Sequence, residues 1–214
     1  MINVLIVDDH TIVRHGLAQI VNAESDMTVL GEARNGDEAL ELVARSTPDV
    51  VVLDITMPGR NGLETLKEIK RRQPDVSVIM LSMHPKDQYA VRVLKAGASG
   101  YITKESAPEE LVVAIRKAYE GGKYISPDVA ELLASYIGHD SSEEPHRRLS
   151  DREFEVFRQI AIGKSISQIS ADLNLSVKTV STHKTRIMQK MGMASLSEMV
   201  QYAVAHKLLT PFKA

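Results

Sequence analysis

The sequence predicts an α/β fold, a doubly wound parallel sheet of five strands, followed by a small all-α domain of four helices. Two observations carry this. From Asn3 to about Gly121, short apolar β-branched runs alternate with stretches whose apolar residues recur at spacings of three and four, the pattern of β-α-β units. From Leu149 onward the alternation stops and every signal is helical. The length, 214 residues, suffices for two cores.

Strands are predicted at Val4–Val7, Val29–Ala33, Val50–Leu53, Val76–Leu81 and Gly100–Ile102. Helices are predicted near Thr11–Asn22, Gly36–Ala44, Asn61–Arg72, Asp87–Ala96 and Pro108–Glu120, the last showing the spacing in Leu111, Ile115 and Ala118. Ser106 and Glu109 have capping-box spacing, and Gly121-Gly122 is a stop signal. These elements define a first domain, 1–121. Residues 122–148 are expected to be a linker with a helical tether near 127–137, because Gly138 to Arg148 has almost no apolar residue. In the second domain, 149–214, Ser150 and Glu153 form another capping box ahead of Phe154, Phe157, Ile160 and Ala161. Ile166, Ile169 and Leu173 mark a short helix, Asn174 a left-handed turn, and Ser176 the cap of a helix with Val177, Val180, Ile187 and Met191 inward. Two short helices joined by so tight a turn match the helix-turn-helix, and Leu196–Leu208 supplies a fourth helix.

Composition narrows the function classes. Residues 1–146 carry 15 Lys and Arg against 23 Asp and Glu, and residues 147–214 carry 11 against 5. An acidic front suits a cation or a protein partner; a basic tail suits a polyanion. The absence of cysteine excludes disulfides, thiolate metal sites and cysteine nucleophiles. No apolar run approaches membrane-spanning length and the start at Met1 lacks a signal-peptide pattern, so a cytoplasmic protein without membrane contact is expected.

The chemistry is concentrated at strand ends. Val50–Leu53 runs into Asp54, and Val4–Val7 into Asp8-Asp9, and ligands of open parallel sheets bind beyond such C-terminal ends. A single carboxylate there is ordinarily a turn residue. Three converging carboxylates repel one another unless a hard divalent cation joins them, and oxygen ligands suit Mg²⁺. His10 and His84 lack metal-ligand spacing to a second histidine and are expected to be solvated loop residues.

Residues 1 to about 121 resemble the receiver domain of bacterial two-component response regulators through Asp8-Asp9, Asp54 with Met57-Pro58-Gly59, Ser82, Tyr101 and Lys104. Residues 149–208 resemble the DNA-binding domain of the NarL/FixJ (LuxR-type) subfamily through Leu149-Ser-Asp-Arg-Glu153 and Ser176-Val-Lys-Thr-Val-Ser-Thr-His183. The resemblance implies a CheY-like sheet of order 2-1-3-4-5. It also implies a phosphoacceptor Asp54 served by a sensor histidine kinase, with Lys104 and Ser82 on the phosphoryl oxygens and Ser82 and Tyr101 as the switch pair. Mg²⁺ is implied on Asp9, Asp54 and the backbone carbonyl of Thr56, with Asp8 acting through a water.

Outward positions of the second motif helix divide by chemistry. Ser181, Thr182 and Thr185 suit base edges, while Lys178, Thr179, Lys184 and Arg186 suit phosphates. Ser181 stands where relatives commonly carry lysine. Ser197, Val200, Gln201 and Val204 correspond to the family's dimer surface, so a homodimer on promoter half-sites is implied, with RNA polymerase a further partner. The reading is a transcription regulator and not an enzyme. Two alternatives are a Mg²⁺-dependent phosphohydrolase with an aspartyl phosphate intermediate, and a phosphorylation-dependent protein adaptor. The first conflicts with Thr56, where such hydrolases carry a second aspartate.

Overall fold

A computed structural model describes residues 1–83, 88–138, 144–206 and 208–209. It comprises two compact units, Met1–Leu133 and Ala134–Ala214. In the first, five strands alternate with five helices: β1 Ile2–Val7, α1 Thr11–Asn22, β2 Met27–Ala33, α2 Gly36–Ser46, β3 Val50–Asp54, α3 Gly62–Arg72, β4 Ser77–Ser82, α4 Gln88–Lys95, β5 Gly100–Thr103 and α5 Ala107–Tyr119. A two-residue strand, β6 Tyr124–Ile125, pairs with β5, so the parallel sheet has six strands in the order β2-β1-β3-β4-β5-β6. The five expected strands stand in the expected order. β6 was hidden because two residues show no periodicity.

The central strands are buried on both faces, β3 along its whole length. One set of alternate residues, with Val4, Ile6, Val50, Val52, Ile79 and Leu81, packs under α1 and α5 against Leu17, Val21, Leu111 and Ile115. The other set includes Leu5, Val51, Leu53 and Met80, all fully buried, and α2 and α3 pack on one another. Each such branched side chain contributes about 1.5–3 kcal/mol on burial. Asn35 and Asn61 cap α2 and α3, accepting from Glu38 N and Glu64 N.

The expected Ser106 capping box is absent. Ser106 already has helical backbone angles and makes no side-chain cap bond. Its hydroxyl faces back to Thr103, whose Oγ1 accepts from the Ser106 N–H at 3.0 Å. Gly121, at φ +81°, follows the C-cap of α5 as expected.

The stretch 122–148 is more structured than an apolar-poor linker suggests. Beyond β6, α6 Pro127–Gly138 carries the boundary between the two units. Residues 139–143 lie outside the described residues. Pro145–Arg148 forms a 3-10 turn that buries His146 to 1 % exposure, its Nδ1 2.8 Å from the Tyr202 hydroxyl. An imidazole fills core space without registering as apolar, which is why composition misread this segment.

The second unit contains α7 Asp151–Ala161, α8 Ile166–Asp172, α9 Val177–Met191 and α10 Leu196–Ala205. Phe154, Phe157, Ile160, Ile169, Leu173, Val180, Ile187 and Met199 form its core. Val177, expected inward, is 51 % exposed: it is the first residue of α9 and no preceding turn carries it toward the core. Ile166 is half-buried. No helix among the described residues is long and apolar enough to cross a membrane.

Candidate functional site

The sheet's C-terminal edge assembles the acidic residues. Asp8 and Asp9 follow β1, Asp54 ends β3, and Lys104 follows β5. Register fixes their neighbours: Val7 lies opposite Leu53, and Asp54 opposite Leu81, one residue before the buried Ser82. The Lys104 N–H donates to the Ser82 carbonyl at 2.8 Å, which fixes the start of the lysine's loop. Its Nζ then lies 2.8 Å from Asp54 Oδ2 and 2.7 Å from Asp8 Oδ2, with the side chain 8 % exposed. Asp8 and Asp54 are both essentially buried. Asp54 Oδ1 accepts from the Thr56 N–H at 3.3 Å, and Asp8 Oδ1 from the His10 N–H at 2.8 Å. Thr56 itself is exposed, and Tyr101 is buried in β5 opposite Met80.

Burial is the main influence on Asp54, pushing its carboxyl up to about 6; Lys104 opposes this and Asp8 adds to it. Burial alone would lower Lys104, but the carboxylates of Asp54 and Asp8 outweigh it and raise its pKa. One donor atom from each of Asp8, Asp9, His10 and Asp54 lies within 4.8 Å of all the others. Three hard oxygen donors that close fit a small divalent cation such as Mg²⁺.

Two supporting residues, Arg14 and Gly62, escaped the sequence reading. Arg14 Nη1 donates to the Asp8 carbonyl at 2.8 Å while its Nε reaches Glu32 at 2.9 Å, pinning the loop that carries Asp8. A Cβ on Gly62 would overlap the Asp54 carbonyl, so α3 approaches the acidic strand end only through a glycine. His10, expected in solvent, is indeed 65 % exposed, yet its Nδ1 lies 2.8 Å from Asp9 Oδ1. Nothing in residue type or spacing marked Arg14 or Gly62. His84 lies outside the described residues.

In the second unit, α8 and α9 are joined as the helix-turn-helix reading expects. Asn174 takes φ +49° and Ser176 caps α9, accepting from Thr179 N at 3.0 Å. Lys178, Thr179, Ser181, Thr182, Thr185 and Arg186 are exposed along α9, and Lys184 is half-buried. The Thr182 and Thr185 hydroxyls donate to the carbonyls of Lys178 and Ser181, which leaves the hydroxyl oxygens free to accept. Glu153 fastens α9 to α7: it completes the capping box with Ser150 and accepts from Lys190 Nζ at 2.6 Å. Burial would raise the Glu153 pKa, but the Lys190 and Ser150 bonds outweigh it and lower it. On α10, Ser197, Gln201 and Val204 are exposed and Val200 is half-buried.

Comparison with known proteins agrees across both units. Residues 4–116 match the family described as response regulator receiver domain, and residues 147–203 the family of bacterial regulatory proteins, luxR family. The chain is 40 % identical over 209 residues to the response regulator UvrY of Escherichia coli K12, covering 97 % of this chain and 96 % of that one. It is 40 % identical over 213 residues to the oxygen regulatory protein NreC of Staphylococcus carnosus, covering 96 % and 98 %. Among solved structures, the RcsB response regulator of Salmonella typhimurium superposes with a TM-score of 0.71 at 28 % identity over 98 % of both chains. RcsB in complex with DNA gives 0.60 at 29 % identity, covering 98 % of this chain and 99 % of that one. The chain therefore belongs to the response regulators that join a receiver domain to a LuxR-type DNA-binding domain, and it is a transcription regulator.

Proposed function

We propose that phosphorylation of Asp54 by a sensor histidine kinase switches this regulator's binding to double-stranded DNA. The observation that carries the reading is the convergence of Asp8, Asp9, Asp54 and Lys104 at one sheet edge. An Asp54 carboxylate oxygen attacks the phosphorus of a phosphohistidine; a P–O bond forms, the P–N bond breaks and the imidazole leaves. Lys104, held between two carboxylates, turns to a phosphoryl oxygen and neutralises charge there. The Ser82 hydroxyl donates to another and draws its loop inward, and Tyr101 occupies the space released. Asp9, Asp54 and the Thr56 backbone carbonyl would hold Mg²⁺, with Asp8 acting through a water; the cation supplies charge neutralisation to the incoming phosphoryl oxygens. The protein is a phosphoryl acceptor, at most slowly dephosphorylating itself, and not an enzyme acting on other substrates.

On the output side, Lys178, Thr179, Lys184 and Arg186 contact phosphates and Ser181, Thr182 and Thr185 face base edges in the major groove. Ser197, Val200, Gln201 and Val204 join two copies on paired half-sites, and the bound dimer presents itself to RNA polymerase in the cytoplasm. Support comes from a solved structure of two RcsB dimers bound to two parallel DNAs, similar at 30 % identity and a TM-score of 0.58. Incubation with acetyl phosphate and Mg²⁺ tests the reading: wild-type protein gains an acid-labile phosphoryl group and Asp54→Asn does not. Undiminished label on the variant overturns it.

A further inference from the structure

The exposed face of α9 carries hydroxyls, and the structure fixes what two of them can offer a ligand. Thr182 and Thr185 are both exposed. Three residues apart, they share one face of the helix and stand about 4.5 Å apart along its axis. Thr182 Oγ1 lies 2.9 Å from the Lys178 carbonyl and Thr185 Oγ1 3.1 Å from the Ser181 carbonyl, each four residues back. A carbonyl oxygen only accepts, so each hydroxyl hydrogen is engaged within its own helix. What remains on each oxygen is accepting capacity. A threonine in a helix has few χ1 rotamers, and the bond to the preceding turn selects among them.

We infer that Thr182 and Thr185 act on DNA as acceptors only, and that each thereby selects adenine or cytosine over guanine or thymine on the strand it faces. This rests on α9 entering the major groove as proposed above, and names the class of base that the helix reads there. In that groove adenine N6 and cytosine N4 donate, while guanine O6 and N7 and thymine O4 accept. Opposite an amino base, the threonine oxygen gains a bond and keeps the one to its own helix. Opposite a keto base, it either meets another acceptor or rotates away from its carbonyl, exchanging one hydrogen bond for another. One net hydrogen bond separates the two cases, about fivefold in affinity.

The test selects random double-stranded DNA with the full chain treated with acetyl phosphate and Mg²⁺, comparing wild type with Thr182→Val, Thr182→Ser, Thr185→Val and Thr185→Ser. Valine keeps the branched shape and removes the oxygen; serine keeps the oxygen and removes the methyl group. Both positions are exposed, so the fold is expected to persist, with circular dichroism as the check. For each threonine, wild type should prefer adenine or cytosine about fivefold or more at one position of the half-site. Valine should bring that ratio close to one at its own position alone, and serine should keep it within about twofold of wild type. A guanine or thymine preference that valine abolishes overturns the inference by showing a donating hydroxyl, and leaves the base-facing assignment in place. A preference kept by valine and lost with serine overturns it in favour of a methyl contact. If neither valine variant moves any preference while DNA binding persists, the placement of these threonines on base edges falls as well. Failure of the treated wild type to select any DNA overturns the proposed function and the inference together.

Discussion

Asp54 concentrates the energetics of the site in one side chain. Burial raises its carboxyl to about 6, so between the ordinary carboxylate range and that value the folded state holds a proton that the unfolded chain has released. That proton's contribution to stability is complete below the unfolded pKa and disappears as pH rises through about 6. Above it, the charged carboxylate costs the fold on the order of 3 kcal/mol even with Lys104 beside it. Asp54→Asn mimics the protonated form. In buffer with a chelator, thermal melts should therefore show the variant more stable than wild type at pH 8, with the difference closing near pH 4. A lower midpoint for the variant at pH 8 would mean that Lys104 and the backbone compensate the buried charge in full. Mg²⁺ should raise the wild-type midpoint and leave the variant nearly unmoved, because the cation neutralises a charge the variant lacks.

Elements were legible where local chemistry and tertiary packing agree. The run ending in Asp54 is apolar and β-branched because it is buried on both faces, and Ser150 and Glu153 form the capping box their spacing announces. Glu153 does more than its motif indicates, since it also binds Lys190 on α9 and so joins the start of one helix to the end of another. Glu153→Ala should destabilise the second unit by about 1–2 kcal/mol, read from urea unfolding of the full chain, and Lys190→Ala by less, because it leaves the cap intact. A larger loss for Lys190→Ala would invert that assignment. Ser106 and Glu109 show the limit of the same motif: the spacing is right, but Thr103 already holds the serine. Val177 shows the limit of periodicity, which locates a face of a helix but not the turn at which the core ends. The strand ends bearing Asp8, Asp9, Asp54 and Lys104 could be read directly. That Lys104 bridges Asp8 as well as Asp54, that Arg14 anchors the Asp8 carbonyl and that Gly62 admits α3 could not, because spacing along a chain does not give side-chain direction.

For the molecule as a whole, the charge division noted in the sequence matches a division of labour: acidic side chains collect at one edge of the sheet, and basic and hydroxyl side chains line α9. Lys178→Ala and Arg186→Ala should each weaken binding to all DNA sequences alike and lower the slope of log affinity against log salt by about 1. Thr182→Ala should leave that slope unchanged and alter which sequences are preferred. A salt slope unaffected by either basic substitution would move the phosphate contacts elsewhere. The most direct test of the central claim joins the two ends of the chain. Genomic DNA fragments are selected with wild type and with Asp54→Asn, each before and after treatment with acetyl phosphate and Mg²⁺, and affinities are measured on the fragments recovered. The account predicts that treatment strengthens wild-type binding about tenfold or more, a coupling of the usual allosteric size, and leaves Asp54→Asn unchanged. An equal response in both proteins, or none in the wild type once it carries the phosphoryl group, would contradict it.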